Sequence, residues 1–134
     1  MKNYRFLLLI YCTFLFYGCD DVLSCIVPRE PELKNNEFPI GSTETYYYAE
    51  VNAEIRNEPR DNDYDYYFDF EEPLPPGIGY YVNYRTISIE GQPELPGIYQ
   101  ITLLLYVEGP FRDAAENVLL CENSISKTFT LIVE

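Results

Sequence analysis

Thr45 to Ile55 alternates strictly between two sets of positions. Tyr47, Ala49, Val51, Ala53 and Ile55 share one parity, and Tyr46, Tyr48, Glu50, Asn52 and Glu54 share the other. A period of two over this length predicts a half-buried strand. The pattern returns at 65–70, where Tyr66, Phe68 and Phe70 face inward and Asp65, Tyr67 and Asp69 outward. Ile78 to Val82 and Thr86 to Ile89 read as two short strands around an Asn83-Tyr84 turn. Ile98 to Val107 is the longest run. Tyr99, Ile101, Leu103, Leu105 and Val107 lie on one face, yet Leu104 and Tyr106 make the other face apolar too. That strand is expected at the centre of its sheet. Leu119 to Cys121 and Ile125 to Val133 bring the chain back, with Phe129, Leu131 and Val133 on the core side.

Turn formers separate these runs. Asn57 to Asn62 is a turn, Pro73, Pro75 and Pro76 end the second strand, and 108–118 is a loop or a short helical turn. No amphipathic helix and no internal repeat interrupts the sequence. About seven short strands with turns between them predict an all-β fold, a sandwich of two antiparallel sheets. Trp is absent and the cysteine spacing is not that of antibody domains.

The start of the chain departs from this pattern. Lys2 and Arg5 precede an apolar run from Phe6 to Tyr17, and Gly18 stands before Cys19. A run of about 12 residues falls short of the roughly 18–20 that cross a bilayer. It reads as an export signal with a small-residue cleavage point. The segment ending Phe16-Tyr17-Gly18-Cys19 resembles a bacterial lipoprotein signal. The resemblance implies cleavage before Cys19 and diacylglycerol on its thiol. Ordinary secretion and an uncleaved anchor are the alternatives. Residues 1–18 are then signal, 19–39 a lipidated N-terminus and a tether leading into a first edge strand, and 40–134 the sandwich domain. Asp20 and Asp21 follow the cysteine. Acidic residues there mark inner-membrane retention in some lipoproteins and surface export in others, so a periplasmic and a cell-surface orientation are both open.

The net charge of −13 changes the expected partners. The signal holds two cations and no acid, so the mature chain is more acidic still. Such a field opposes nucleic acid and anionic membrane surfaces. It leaves a cationic partner or a divalent ion. Of the four cysteines, Cys12 leaves with the signal and Cys19 carries lipid, which leaves Cys25 and Cys121. An even pair in an oxidising compartment is expected to form a disulfide, with two free thiols as the alternative. His is absent and no CxxC is present, which argues against a zinc site.

Residues 65–107 resemble the Ig-like domain of many bacterial surface proteins, related to the cadherin-like domain of dystroglycan. The resemblance rests on YYFDF, Leu74-Pro75-Pro76-Gly77-Ile78, Thr86-Ile87-Ser88, Gly91-Gln92-Pro93 and the run from Gly97 to Leu103, in that order. The tail SKTFTLIV is similar to the family's closing strand. Ile89-Glu90 are inserted before Gly91. The resemblance implies an Ig-like sandwich and an extracellular module, and it transfers no catalytic residue. In the residues themselves, Gly77 suits a turn with φ > 0, and Pro93 keeps the next segment out of a central ladder.

Asp61, Asp63, Asp65, Asp69 and Glu72 stand at calcium-loop spacing. Tyr66 occupies the position where an EF-hand turn needs Gly, and Pro59 and Pro73 exclude its helices. A calcium site of another geometry, built on Asp61 and Asp63, is the minor reading beside a solvated acidic turn. No other cofactor is expected. Fourteen tyrosines are many for 134 residues. Tyr80, Tyr81 and Tyr84 gather in one hairpin, and Tyr46 and Tyr48 share an outward face. They suit recognition of a protein, or less readily a glycan, although cross-strand pairing is their commoner role. Without His there is no Ser-His or Cys-His pair, and a small sandwich offers no cleft for two opposed carboxyls. The expectation is a membrane-tethered binding or structural module of the cell envelope, not an enzyme. An accessory subunit of a periplasmic or outer-membrane complex is the runner-up, and a small hydrolase the third class. Contacts are expected at strand ends and the 108–118 loop.

Overall fold

A computed structural model describes residues 25–34, 37–111 and 120–134. Among these residues there are seven strands: β1 (Pro31–Leu33), β2 (Tyr47–Ile55), β3 (Asp65–Phe70), β4 (Ile78–Asn83), β5 (Thr86–Gly91), β6 (Gly97–Glu108) and β7 (Ser124–Val133). A short 3-10 turn at Asp61–Asp63 leads into β3. The strands form a four-stranded sheet ordered β1-β2-β5-β4 and a three-stranded sheet ordered β3-β6-β7. Every strand pair is antiparallel. This is the strand arrangement of an immunoglobulin constant-type domain. The fold class expected from the alternation is therefore the one observed.

The two predicted faces of β2 are real: the odd positions from Tyr47 to Ile55 are all buried, and the even ones are not. β6 is central, paired with β3 on one side and β7 on the other. Tyr66 of β3, and Phe129, Leu131 and Val133 of β7, close the core from the three-stranded sheet. Val51, Ile87, Ile89, Leu103, Leu105, Phe129 and Leu131 have at most 1% of their surface exposed. Each such side chain contributes about 1.5–3 kcal/mol relative to an exposed one. The ring of Phe38 stacks on Phe129 at 4.5 Å and 4°. With Phe70 it packs against both halves of the core.

Three boundaries differ from the sequence reading. The segment assigned to the tether already supplies β1, and its Leu33 is buried. Its three residues between a proline and a lysine are too few to show a period. The β4–β5 turn is Tyr84-Arg85, one residue later than expected, because Asn83 pairs with Thr86 and Tyr84 takes a φ of 54°. Cys121, placed in a returning strand, precedes β7, which begins at Ser124. The loop expected at 108–118 is described only to Phe111.

The chain also crosses between the sheets. After β1 has paired with β2, Gly41 joins β7 through a parallel bridge to Val133. Its N–H donates to Ile132 O at 2.8 Å, and Glu134 N–H donates to Gly41 O at 3.0 Å. One end of the β7 edge is thereby covered. Cys25 and Cys121 form a disulfide with their Cα atoms 5.7 Å apart. It lies outside the sandwich, where it fixes the N-terminal segment beside the start of β7. Cys121 N–H donates to Arg29 O at 2.9 Å and continues that attachment.

Candidate functional site

Because β6 is apolar on both faces, its outer face has to be met by something. In the described residues it is met by other exposed side chains. Tyr67 pairs with Tyr106, and Asp69 with Leu104. On the other flank Tyr106 pairs with Ser124 and Leu104 with Ser126. The Tyr67 and Tyr106 rings lie 6.1 Å apart and tilted by 38°. Together with Glu122 these side chains line a shallow depression of about 850 Å³. Partial desolvation, with the Asp65 and Glu108 carboxylates, holds the Tyr67 phenol above its ordinary pKa. Both tyrosines are about half exposed, at 50% and 44%. Further along the same face, Thr102 bonds Thr128 at 3.1 Å and Thr130 donates to Gln100 at 3.1 Å. The result is a shallow surface with an aromatic and aliphatic centre and polar margins.

Asp61 and Asp63 sit in the 3-10 turn. Asp61 is bonded to the guanidinium of Arg85. Arg85 in turn lies 5.8 Å from the Tyr84 ring centre. Tyr84 Oη is 2.9 Å from both Asn62 O and Tyr64 O and ties the β4–β5 turn to this segment. Tyr66 Oη donates to Asp61 O at 3.0 Å. Burial first, and the Asp61 charge next, push the Tyr66 phenol far upward. The charge that calcium would supply to Asp61 is here supplied by Arg85. Among the described residues no group of three or more acidic, cysteine or histidine side chains could hold a metal. The carboxylates expected at calcium-loop spacing diverge instead, since Asp65 and Asp69 follow the outward face of β3.

Sequence reasoning missed Glu58. Its carboxylate is 3% exposed and lies 3.9 Å from Arg29. It accepts Arg60 N–H at 3.0 Å and the Tyr64 hydroxyl at 3.3 Å. Asn57, with φ 59°, turns the chain so that Glu58 points inward. An acid next to a proline in a polar turn carried no signal of burial.

The tyrosines of the β4–β5 hairpin do not act as one cluster. Tyr81 faces outward from the four-stranded sheet opposite Ser88, and it is exposed. Tyr80 lies on the inner side at the open margin, its ring 5.1 Å from that of Phe70. Tyr84 is held in the turn. Tyr48 donates to Glu50 at 2.7 Å on the outer face of β2, and Tyr46 is exposed beside it. Between the margins of β3 and β4, Phe70, Leu74, Ile78 and Tyr80 line a cleft of about 470 Å³ whose rim carries Asp69, Glu71 and Glu72. Asp69 borders both this cleft and the Tyr67–Tyr106 depression, so the two surfaces meet around β3.

Of the remaining sequence-predicted positions, Cys25 and Cys121 are brought together as expected. Residues 1–18, the lipid-attachment candidate Cys19 and most of the 108–118 loop lie outside the described residues. Among those described, no helix is long and apolar enough to cross a membrane.

No protein-family model matches the chain, and no curated protein is similar to it at a significant level. The resemblance to bacterial surface Ig-like domains is one of motif order alone. Among solved structures, titin domain M7 is similar, with a TM-score of 0.44 and 11% sequence identity. The similarity covers 79% of this chain and 95% of that one.

Proposed function

We propose that this chain is a lipid-anchored module of the bacterial cell envelope that binds a protein partner through the outer face of β3-β6-β7. The Tyr67–Tyr106–Leu104 surface is the observation that carries this reading. A strand with two apolar faces leaves one of them in water, on a rigid sheet. Tyrosine is enriched where interfaces form, because it offers a large ring with few rotors and a polar tip. The signal-like N-terminus ending in Cys19 supports export and tethering, and the disulfide suits an oxidising compartment.

A second reading, an accessory subunit of an envelope complex, is favoured by the charge. Residues 61–111 contain nine carboxylates and one cation, and that cation is bonded to Asp61. A basic partner is the natural counterpart of such a surface.

The test is made on intact cells. A photoreactive amino acid replaces Tyr106, and external protease is added with a known periplasmic protein as control. Loss of the chain while the control survives places the domain outside, and survival of both until the envelope is opened places it in the periplasm. In either case Tyr106 is expected to crosslink to one discrete protein, and a position on the far side, such as Asn52, is not. Equal crosslinking from both positions overturns the docking face. A discrete glycan adduct in place of a protein overturns the partner class.

A further inference from the structure

We infer that the free edge of β4 accepts an extended, positively charged segment of a partner chain as a fifth strand of the four-stranded sheet. The inference concerns a second site and is independent of the outer face of β3-β6-β7.

Natural sandwiches protect their edges with very short strands, Lys, Pro, bulges or a covering segment. Three edges here are managed in this way. β1 has three residues and begins with Pro31. One end of β7 is covered by Gly41. On β3, the Asp69 carboxylate accepts the N–H of Phe70 at 2.8 Å and occupies one edge donor. Among the described residues β4 has no such device. Its sequence, Ile78-Gly79-Tyr80-Tyr81-Val82-Asn83, contains no Pro and no charge, and its register with β5 runs without a bulge from end to end.

The groups left free on this edge follow from the ladder. Ala53 N–H donates to Arg85 O at 2.7 Å, so the odd-numbered peptide groups of β5 face β2. The even-numbered ones then face β4, where Thr86, Ser88 and Glu90 pair with Asn83, Tyr81 and Gly79. This leaves the N–H and C=O groups of Tyr80 and Val82 directed away from the sheet, and no strand of the described residues pairs with them. Ile78 is already engaged, its N–H donating to Pro75 O at 3.0 Å.

The surroundings name the occupant. A strand laid along β4 would send alternate side chains toward the Phe70–Leu74–Tyr80 cleft and its rim of Asp69, Glu71 and Glu72. The others would lie beside exposed Tyr81. Pairing by main-chain bonds with side-chain pockets at every second position is the general mode of strand addition. Within residues 61–111 the one cation, Arg85, is held by Asp61, and the lining of the cleft itself carries three carboxylates and no cation. A second copy of the chain would bring the same negative charge to the edge. A segment carrying Lys or Arg at alternate positions fits.

The full chain, purified in a nonionic detergent, is titrated with a capped twelve-residue peptide that alternates Lys with Thr and Val. The control peptide has Gln at every Lys. Binding and amide hydrogen exchange are followed together. The Lys peptide is expected to slow exchange at Tyr80 and Val82 at least tenfold, and binding should weaken tenfold or more with the Gln peptide or in high salt. Val82→Pro removes an edge donor without touching the β5 ladder and should abolish binding. Val82→Ala, which loses similar packing but keeps the donor, should bind within threefold of the original chain. Binding that leaves Tyr80 and Val82 unprotected overturns the inference, as does equal binding by the two variants or no binding at all. Protection that appears without peptide and grows with protein concentration also overturns it, since the occupant is then a second copy. Protection moved to Tyr67 and Tyr106 removes the edge site and keeps the proposed docking face. Edge protection with no Tyr106 crosslink in cells keeps the edge site and removes that face.

Discussion

A Cβ built on Gly91 would stand 2.1 Å from the carbonyl oxygen of Gly77. The approach is reciprocal in effect, because a Cβ on Gly77 would meet Gln92 O at 2.0 Å. Both residues have φ in the region that favours glycine, 82° at Gly77 and 143° at Gly91. The turn before β4 and the exit from β5 are thus packed backbone to backbone. Gly91→Ala and Gly77→Ala should each destabilise the fold by at least about 2 kcal/mol, since both strain and a main-chain clash are introduced. Urea midpoints check this, and a loss below 0.5 kcal/mol in either variant would contradict the close approach.

Reduction of Cys25–Cys121 releases a loop with a sequence separation of 96. The chain-entropy model assigns about 4–5 kcal/mol to a bridge of that span. Cys25→Ser with Cys121→Ser is therefore expected to melt well below the oxidised protein while keeping its β signature by circular dichroism. Thiols that titrate in the native oxidised protein would show that the bridge is not formed.

Two buried tyrosines should respond oppositely to loss of their hydroxyls. Tyr47 Oη is buried with no hydrogen-bond partner among the described residues, and burial pushes its phenol up to about 12. Tyr66 Oη is bonded to Asp61 O. Tyr47→Phe should leave stability unchanged or raise it by about 1 kcal/mol, and Tyr66→Phe should lower it by about 1 kcal/mol. The folded pKa of Tyr47 is raised above the unfolded value near 10. Its contribution is thus complete below about pH 10 and is lost as pH rises through about 12. Tyr47→Phe should flatten the alkaline limb of the stability profile over that window. A profile that stays as steep as the original assigns the alkaline loss to other groups.

Calcium should do nothing to the melting temperature, because Arg85 already neutralises Asp61. A rise at millimolar calcium would mean that the ion displaces Arg85. Arg85→Gln should cost about 1 kcal/mol in the absence of calcium, a modest value for a pair still partly open to solvent.

Cys19→Ala tests the anchor. The variant is expected to accumulate as an unprocessed or soluble form. A mature form that still partitions with membranes would move the attachment elsewhere.

Much of this fold was legible where one face of a strand meets water and the other does not. The strict alternation of Tyr47 to Ile55 and the two apolar faces of β6 state their own positions in the sandwich. The place of the first edge strand was hidden because Leu33 is one apolar residue among charges, and the core cluster it joins, with Val51, Ile55 and Phe129, is distant in sequence. The candidate surfaces were half legible. Leu104 and Tyr106 flagged an exposed apolar face, but the partner Tyr67 is fixed only by register. The acidic run 61–72 read first as a solvated turn, with calcium on Asp61 and Asp63 a minor reading, because spacing along the chain says nothing of Arg85, brought in from the next hairpin. Tyr80 and Phe70 belong to different sheets, so no local pattern could place their rings together.

The bridge at Cys25 also sets a length of leash. If lipid holds Cys19, the chain from there to Cys25 spans at most about 20 Å. The sandwich then cannot roam on the long tether that its prolines and charges suggested. Cys121, the start of β3 and the β4–β5 turn share one end of the sandwich, and such an anchor would hold that end nearest the lipid. The Leu74–Ile78 cleft and the beginning of β4 lie toward the opposite end, a strand length of roughly 20 Å further from the lipid. With the lipid at Cys19, a partner arriving from solution would meet that end first.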